Sequence, residues 1–216
     1  MRAILITLAR LLPFVLLLET GSSFVSSSPA TGAGRRARGS LGSAATCRTG
    51  PRLSQLREGS DLDRTGNLET LLQAVSTREV NSKEVMQALE TLSSTSTTAI
   101  QDYEIEGSWE LVFSTQLASG YMPVREVIGF FPSRSEVTLD TNAGPIPLGG
   151  MRGACIWKGG SENVLDFSLS TLLFGPVKVE RGHQEVKSYS FFLAQDQILA
   201  ARSSAGGIAL LSRQEE

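Results

Sequence analysis

Gly107-Ser-Trp-Glu-Leu-Val-Phe-Ser-Thr115 is the stretch on which the fold turns. Trp109, Leu111 and Phe113 alternate with Glu110 and Ser114, a period of two that marks a half-buried strand rather than a helix. Glycine at 107 lets a strand begin in a tight turn. The tryptophan two residues later is large enough to plug the end of a barrel, with its indole N–H free to donate. A cationic side chain from the last strands can stack on that ring; Arg202 is the best placed and Arg213 the second.

Downstream, similar runs recur at 124–131, 136–140, 151–157, 164–169, 177–180, 186–193, 197–202 and 208–211. Turn chemistry separates them, as in Phe131-Pro-Ser133, Asn142-Ala-Gly-Pro145, Phe174-Gly-Pro176 and Ser204-Ala-Gly-Gly207. Eight or nine short strands with no helix between them predict an antiparallel meander, and closing it into a barrel removes its exposed edges. Upstream, the pattern is helical. Leu68, Leu71, Leu72 and Val75 fall on one face of a first short helix, and Val85, Met86, Leu89 and Leu92 on a second. Asn81 can cap the second, with Glu84 completing a capping box. Residues 58–103 thus read as a helical lead-in, and 104–216 as a mainly β barrel domain.

Such a barrel has room inside for packed side chains or one small ligand. The inward candidates are Trp109, Leu111 and Phe113; Leu165, Phe167 and Leu169; Tyr189, Phe191 and Leu193. A filled core and a ligand cavity fit these residues equally. In a cavity the ligand would be lipophilic, each buried methylene contributing about 0.8 kcal/mol without any polar contact. Glu104, Glu106 and Glu110 share one strand face and are expected to meet solvent. Gly149-Gly-Met-Arg-Gly153 has neither the spacing nor the following helix of a phosphate-binding loop, and reads as a bend between strands. His183, in a turn, has no nucleophile or orienting acid near it in sequence. No catalytic residue, metal cluster or cofactor motif is expected.

The 216 residues sum to a formal charge of −2, which conceals two unlike parts. Residues 1–57 carry eight arginines and one acid, Glu19, for +7; the remainder carries −9. A body at −9 repels a phosphate backbone, which argues against nucleic-acid binding. Cys47 and Cys155 lie on opposite sides of the boundary, so no disulfide scaffold is available.

Residues 1–23 have the layout of a signal peptide: Arg2 and Arg10, the apolar run Leu11-Leu-Pro-Phe-Val-Leu-Leu-Leu18, then Gly21 and Ser23 before Phe24. That run would reach about 12 Å as a helix, short of a hydrocarbon core of about 30 Å. Residues 24–57 hold six arginines, nine serines or threonines and no acid, the composition of a transit peptide, too polar to fold alone. Ser22-Ser-Phe-Val-Ser26 resembles the junction in bipartite presequences of algae with complex, red-derived plastids. Plastid import is therefore expected, and secretion if the transit reading fails.

The Gly107-x-Trp109 pair with a late arginine is similar to lipocalins. A wider resemblance, over roughly residues 66–213, is to the plastid lipid-associated protein family, also called plastid fibrillins. It rests on two leucine-faced helices, the Gly107–Thr115 motif, and the closing segment Phe192-Leu-Ala-Gln-Asp-Gln-Ile-Leu-Ala-Ala-Arg-Ser-Ser-Ala-Gly-Gly-Ile-Ala-Leu-Leu211. The chain diverges where Leu199 replaces the first arginine of the family's closing series and Ser203 the glycine after Arg202.

The resemblance implies a lipocalin-like barrel, with Gly107, Trp109 and Arg202 closing it. It further implies non-catalytic binding of a prenyl quinone, carotenoid or acyl lipid at plastoglobules or thylakoids, the membrane contact being peripheral. Two alternatives remain: a plastid lipocalin-like enzyme acting on a chromophore or isoprenoid, which would need acid or base groups inside the barrel, and an assembly or coat protein with a filled barrel.

Overall fold

A computed structural model describes residues 55–96, 98–160, 162–182 and 185–214. The presequence readings on residues 1–54, Cys47 and His183 lie outside these residues. In chain order come α1 (Gln55–Thr77), α2 (Ser82–Thr95) and the single turn α3 (Asp102–Ile105). The strands are β1 (Gly107–Ser114), β2 (Tyr121–Phe131), β3 (Glu136–Ala143), β4 (Ile146–Lys158), β5 (Val164–Phe174), β6 (Val177–Glu180), β7 (Lys187–Ala194), β8 (Ile198–Ser203) and β9 (Ile208–Arg213). Every apolar-alternating run read in the sequence overlaps one of them, to within a residue at its start for 186–193 and 197–202. The helical turn α3 takes residues 102–105, so regular pairing begins at Gly107 rather than Glu104.

All pairings are antiparallel, and β4–β5 and β1–β9 contacts close the sheet into a ring of eight strands, β1-β2-β3-β4-β5-β7-β8-β9. β6 lies outside the ring as a hairpin extension paired with the upper half of β5. β5 meets β7 only over Val164–Phe167, because the rest of its edge is taken by β6. One end of the barrel, here the base, carries α3 and the starts of β1 and β5; the other, the rim, carries the β3–β4 and β5–β6 turns.

The helices cover the outside of the barrel. Leu71, Ala74, Val85, Ala88, Leu89 and Leu92 pack onto Phe113, Leu193, Ile198, Ala200, Ile208 and Leu210. This explains Ile198-Leu-Ala-Ala201 and Ile208-Ala-Leu-Leu211, which are buried throughout because they have the lumen on one side and helices on the other. The faces are rotated slightly from the expected ones: Leu72 and Met86 are exposed, and Ala74 and Ala88 take their places in the core. Asn81 does cap α2, accepting from Lys83 N at 2.9 Å. The Glu-to-backbone half of a capping box occurs instead at α3, where the Glu104 carboxylate accepts from Gln101 N at 2.6 Å.

Polar ties fix the helices to the sheet. The Tyr121 hydroxyl donates to the Val80 carbonyl at 2.8 Å, and Arg202 donates to Ser93 Oγ at 3.0 Å. After α1, Arg78 adopts a left-handed φ of 56° and pairs with Glu110 on β1. Glu110 also accepts from Arg125 at 3.1 Å and is buried, contrary to the expected solvent-facing carboxylate. Docking α1 over β1 covers it, and two guanidiniums offset its desolvation.

Gly149–Gly153 is not a bend. It lies inside β4, where a Cβ on Gly153 would overlap the Ser168 carbonyl oxygen of β5. The glycines let two backbones come close at the β4–β5 bulge between Arg152 and Gly153.

Candidate functional site: the barrel lumen

At the base, Gly107 has φ 131°, a conformation suited to glycine, and a Cβ there would sit 3.2 Å from Arg213 Nη1. Trp109 is fully buried and its indole N–H donates to the Ile105 carbonyl of α3 at 2.8 Å. The cation on its ring is Arg213, 4.4 Å from the centroid, rather than Arg202. Register decides this. Arg213 lies directly opposite Trp109 in the β1–β9 pair, whereas Arg202 is opposite Ser190 and Ile208 and reaches outward to α2. Arg213 also donates to the Glu104, Glu106 and Asp196 carbonyls at 2.9–3.3 Å, so one side chain seals α3 against the barrel end.

Above this plug the lower lumen is filled with rings. Phe130 of β2 lies 6.1 Å from Tyr189 and 5.7 Å from Phe191, both on the non-neighbouring strand β7. Trp157 meets Phe191 at 5.9 Å and Phe167 meets Tyr189 at 5.2 Å. The Phe130 and Trp157 contacts join strands that are not neighbours, so these residues point into the barrel. Of the expected lining, Trp109, Leu111, Leu165, Phe167, Tyr189 and Phe191 are buried on the inward face, with Leu169 half-buried beside them.

Phe113 and Leu193 are not in the lumen. A bulge between Leu111 and Phe113 on β1, and another between Phe191 and Leu193 on β7, each turn the next apolar residue outward. Both then pack under the helices, Phe113 edge-to-face with Tyr121 at 5.2 Å. One extra residue in a strand reverses the face of everything after it.

The inward face of β2 adds residues that strand-by-strand reading passed over: Glu126, Ile128 and Phe130, at spacing i, i+2, i+4. That alternation is the signal that marks Glu126 as inward. Glu126 is only 7% exposed and accepts no hydrogen bond from any described residue; burial alone pushes its carboxyl up to about 7. Tyr189, 8% exposed, has its phenol pushed up to about 12, first by burial and then by the nearby charge of Glu126. The Tyr189 hydroxyl has no hydrogen-bond partner among the described residues either. Among those residues no buried side-chain oxygen or nitrogen is both sealed and unpartnered, so the oxygens of this pair border open space. The lumen is thus packed with rings toward the base, and it holds two buried polar side chains, Glu126 and Tyr189, with no hydrogen-bond partner among the described residues.

Two further carboxylates of the barrel wall, Glu110 and Asp166, do not reach it. Glu110 is held outside by Arg78 and Arg125, and Asp166 by Lys158 at 2.6 Å and the Ser188 hydroxyl at 2.6 Å. These partners hold the Asp166 carboxyl below its ordinary range. Cys155 is buried on β4, its thiol donating to the Glu136 carbonyl at 3.3 Å and pushed up by burial.

Compared with known proteins, the chain matches no family model, no curated protein and no solved structure.

Proposed function

We propose that this chain is a non-catalytic plastid lipid-associated protein of the fibrillin kind, which holds a lipophilic molecule in its upper lumen. The candidates are a prenyl quinone, a carotenoid or an acyl lipid, bound at plastoglobules or thylakoids. The observation that carries the reading is an apolar, base-sealed lumen that holds two buried polar side chains, Glu126 and Tyr189, with no partner among the described residues. An apolar body gains from burial there, and a single polar atom on it would satisfy groups that otherwise lack hydrogen bonds. The rim supports peripheral contact with a lipid surface. Val177 on the β5–β6 hairpin is 54% exposed and Ile146 at the start of β4 is 62% exposed, with Phe174 and Val179 also exposed. Localisation to the plastid rests on the presequence composition of residues 1–57.

The test is to purify the chain from its native source, extract it with organic solvent and identify the extract by mass spectrometry. A stoichiometric lipophile is the expected result, displaced in the Ile128→Trp variant, which fills the lumen. A ligand-free protein that also takes up no quinone, carotenoid or lipid would overturn the reading.

One observation favours the enzymatic alternative. Glu126, titrating near 7 beside a phenol, meets the requirement for a general acid or base acting on a chromophore or isoprenoid. Chemical conversion of an extracted ligand by the wild type but not by Glu126→Gln would establish it.

A further inference from the structure

We propose that Glu126 and Tyr189 form a two-point anchor that takes the uncharged oxygen head of a lipophile, a ketone, quinone or alcohol, and rejects a free carboxylate. The inference rests on the lumen-binding reading above and narrows it to one ligand chemistry. Glu126 projects inward from β2 between Leu111 of β1 and Thr141 of β3, its register partners. Tyr189 projects inward from β7 onto the face of β2 that carries Glu126, its ring 6.1 Å from that of Phe130. Neither oxygen has a partner among the described residues, although both side chains are more than nine-tenths buried.

A ligand carbonyl can accept from the Tyr189 hydroxyl and carries no charge to oppose Glu126. A ligand hydroxyl can accept from Tyr189 and donate to ionised Glu126, and so satisfies both groups. A carboxylate instead brings a second negative charge against ionised Glu126 in a poorly solvated space.

Among the described residues no cation is paired with Glu126 to offset that repulsion. Burial is the sole cause of the Glu126 shift, and no arginine or lysine lowers it. The charged groups on surrounding elements are engaged elsewhere. Arg78 and Arg125 hold Glu110 on the outer face, and Arg213 is stacked at the base. Lys187, two residues rimward of Tyr189 on the same face, has an interaction of its own.

The test is calorimetric titration of the full chain at pH 8 with a matched ten-carbon series: 2-decanone, 1-decanol and decanoate. The wild type is expected to bind the ketone and the alcohol at least about tenfold more tightly than decanoate, a comparison that needs no variant to fold. Tyr189→Phe keeps the ring and is expected to weaken ketone and alcohol binding about tenfold through loss of one hydrogen bond. Glu126→Gln keeps size and hydrogen bonding but removes the charge, and is expected to raise decanoate affinity about tenfold. Thermal melting confirms that each variant is folded. Equal binding of decanoate and decanol by the wild type, or unchanged affinities in both folded variants, overturns the anchor while leaving lumen binding in place. Failure of all three probes to bind the wild type overturns the lumen reading, and the anchor with it.

Discussion

Trp109 meets three groups at once: the Ile105 carbonyl, the Arg213 guanidinium and the inward faces of β1 and its neighbours. Trp109→Ala should therefore cost about 3–5 kcal/mol, measured by denaturant unfolding, as a large-to-small change at a fully buried site. Glu126 gives a pH signature of opposite sense to a salt-bridged acid. Burial pushes its folded carboxyl up to about 7 from an ordinary value of 4.5, so the folded state binds more protons between those values. Its stabilising contribution is present at pH 4.5 and below and is lost as pH rises to 7. The loss amounts to about 3 kcal/mol, from a shift of roughly two to three pH units at about 1.4 kcal/mol each. Glu126→Gln should flatten this part of the stability–pH curve and be the more stable protein at pH 8. An unchanged slope would show that Glu126 is not buried in its charged form.

At the scale of elements, the alternation of apolar residues located the strands but could not locate bulges. Phe113 and Leu193 obey the same period as Trp109 and Phe191, yet each follows an inserted residue and ends under the helices. Local sequence carries no mark of this, because either face of β1 and β7 meets apolar surroundings. Gly153 shows the reverse case, a glycine whose need is set by Ser168 and Leu169 on the next strand, fifteen and sixteen residues away. Gly153→Ala should destabilise by about 1–3 kcal/mol, since the β4–β5 backbones must part to admit the methyl. At the rim, serine at both Phe174 and Val177 should abolish co-sedimentation with vesicles of neutral galactolipid while leaving the melting temperature within a few degrees, because both residues are exposed. Retained vesicle binding would remove the hairpin as the membrane contact.

For the whole molecule, closure joins residues that are distant in sequence. Phe130 and Phe191 touch across the barrel, and the Trp109–Arg213 stack joins the first strand to the last. Sequence pattern was sufficient for the class of fold, nine strands after two helices, because period and turn chemistry are properties of neighbouring residues. It was sufficient for most of the lumen wall as well, through the alternation of 165, 167 and 169 and of 189 and 191. It chose the wrong arginine for Trp109, Arg202 in place of Arg213, since the two differ in register, and register depends on β8 and β9 finding their partners. Only the tertiary structure decided that rings fill the lower barrel while the Glu126 carboxylate and the Tyr189 hydroxyl find no partner among the described residues. The physical reason is that burial without a partner is a relation among strands brought together by closure, and no one strand contains it.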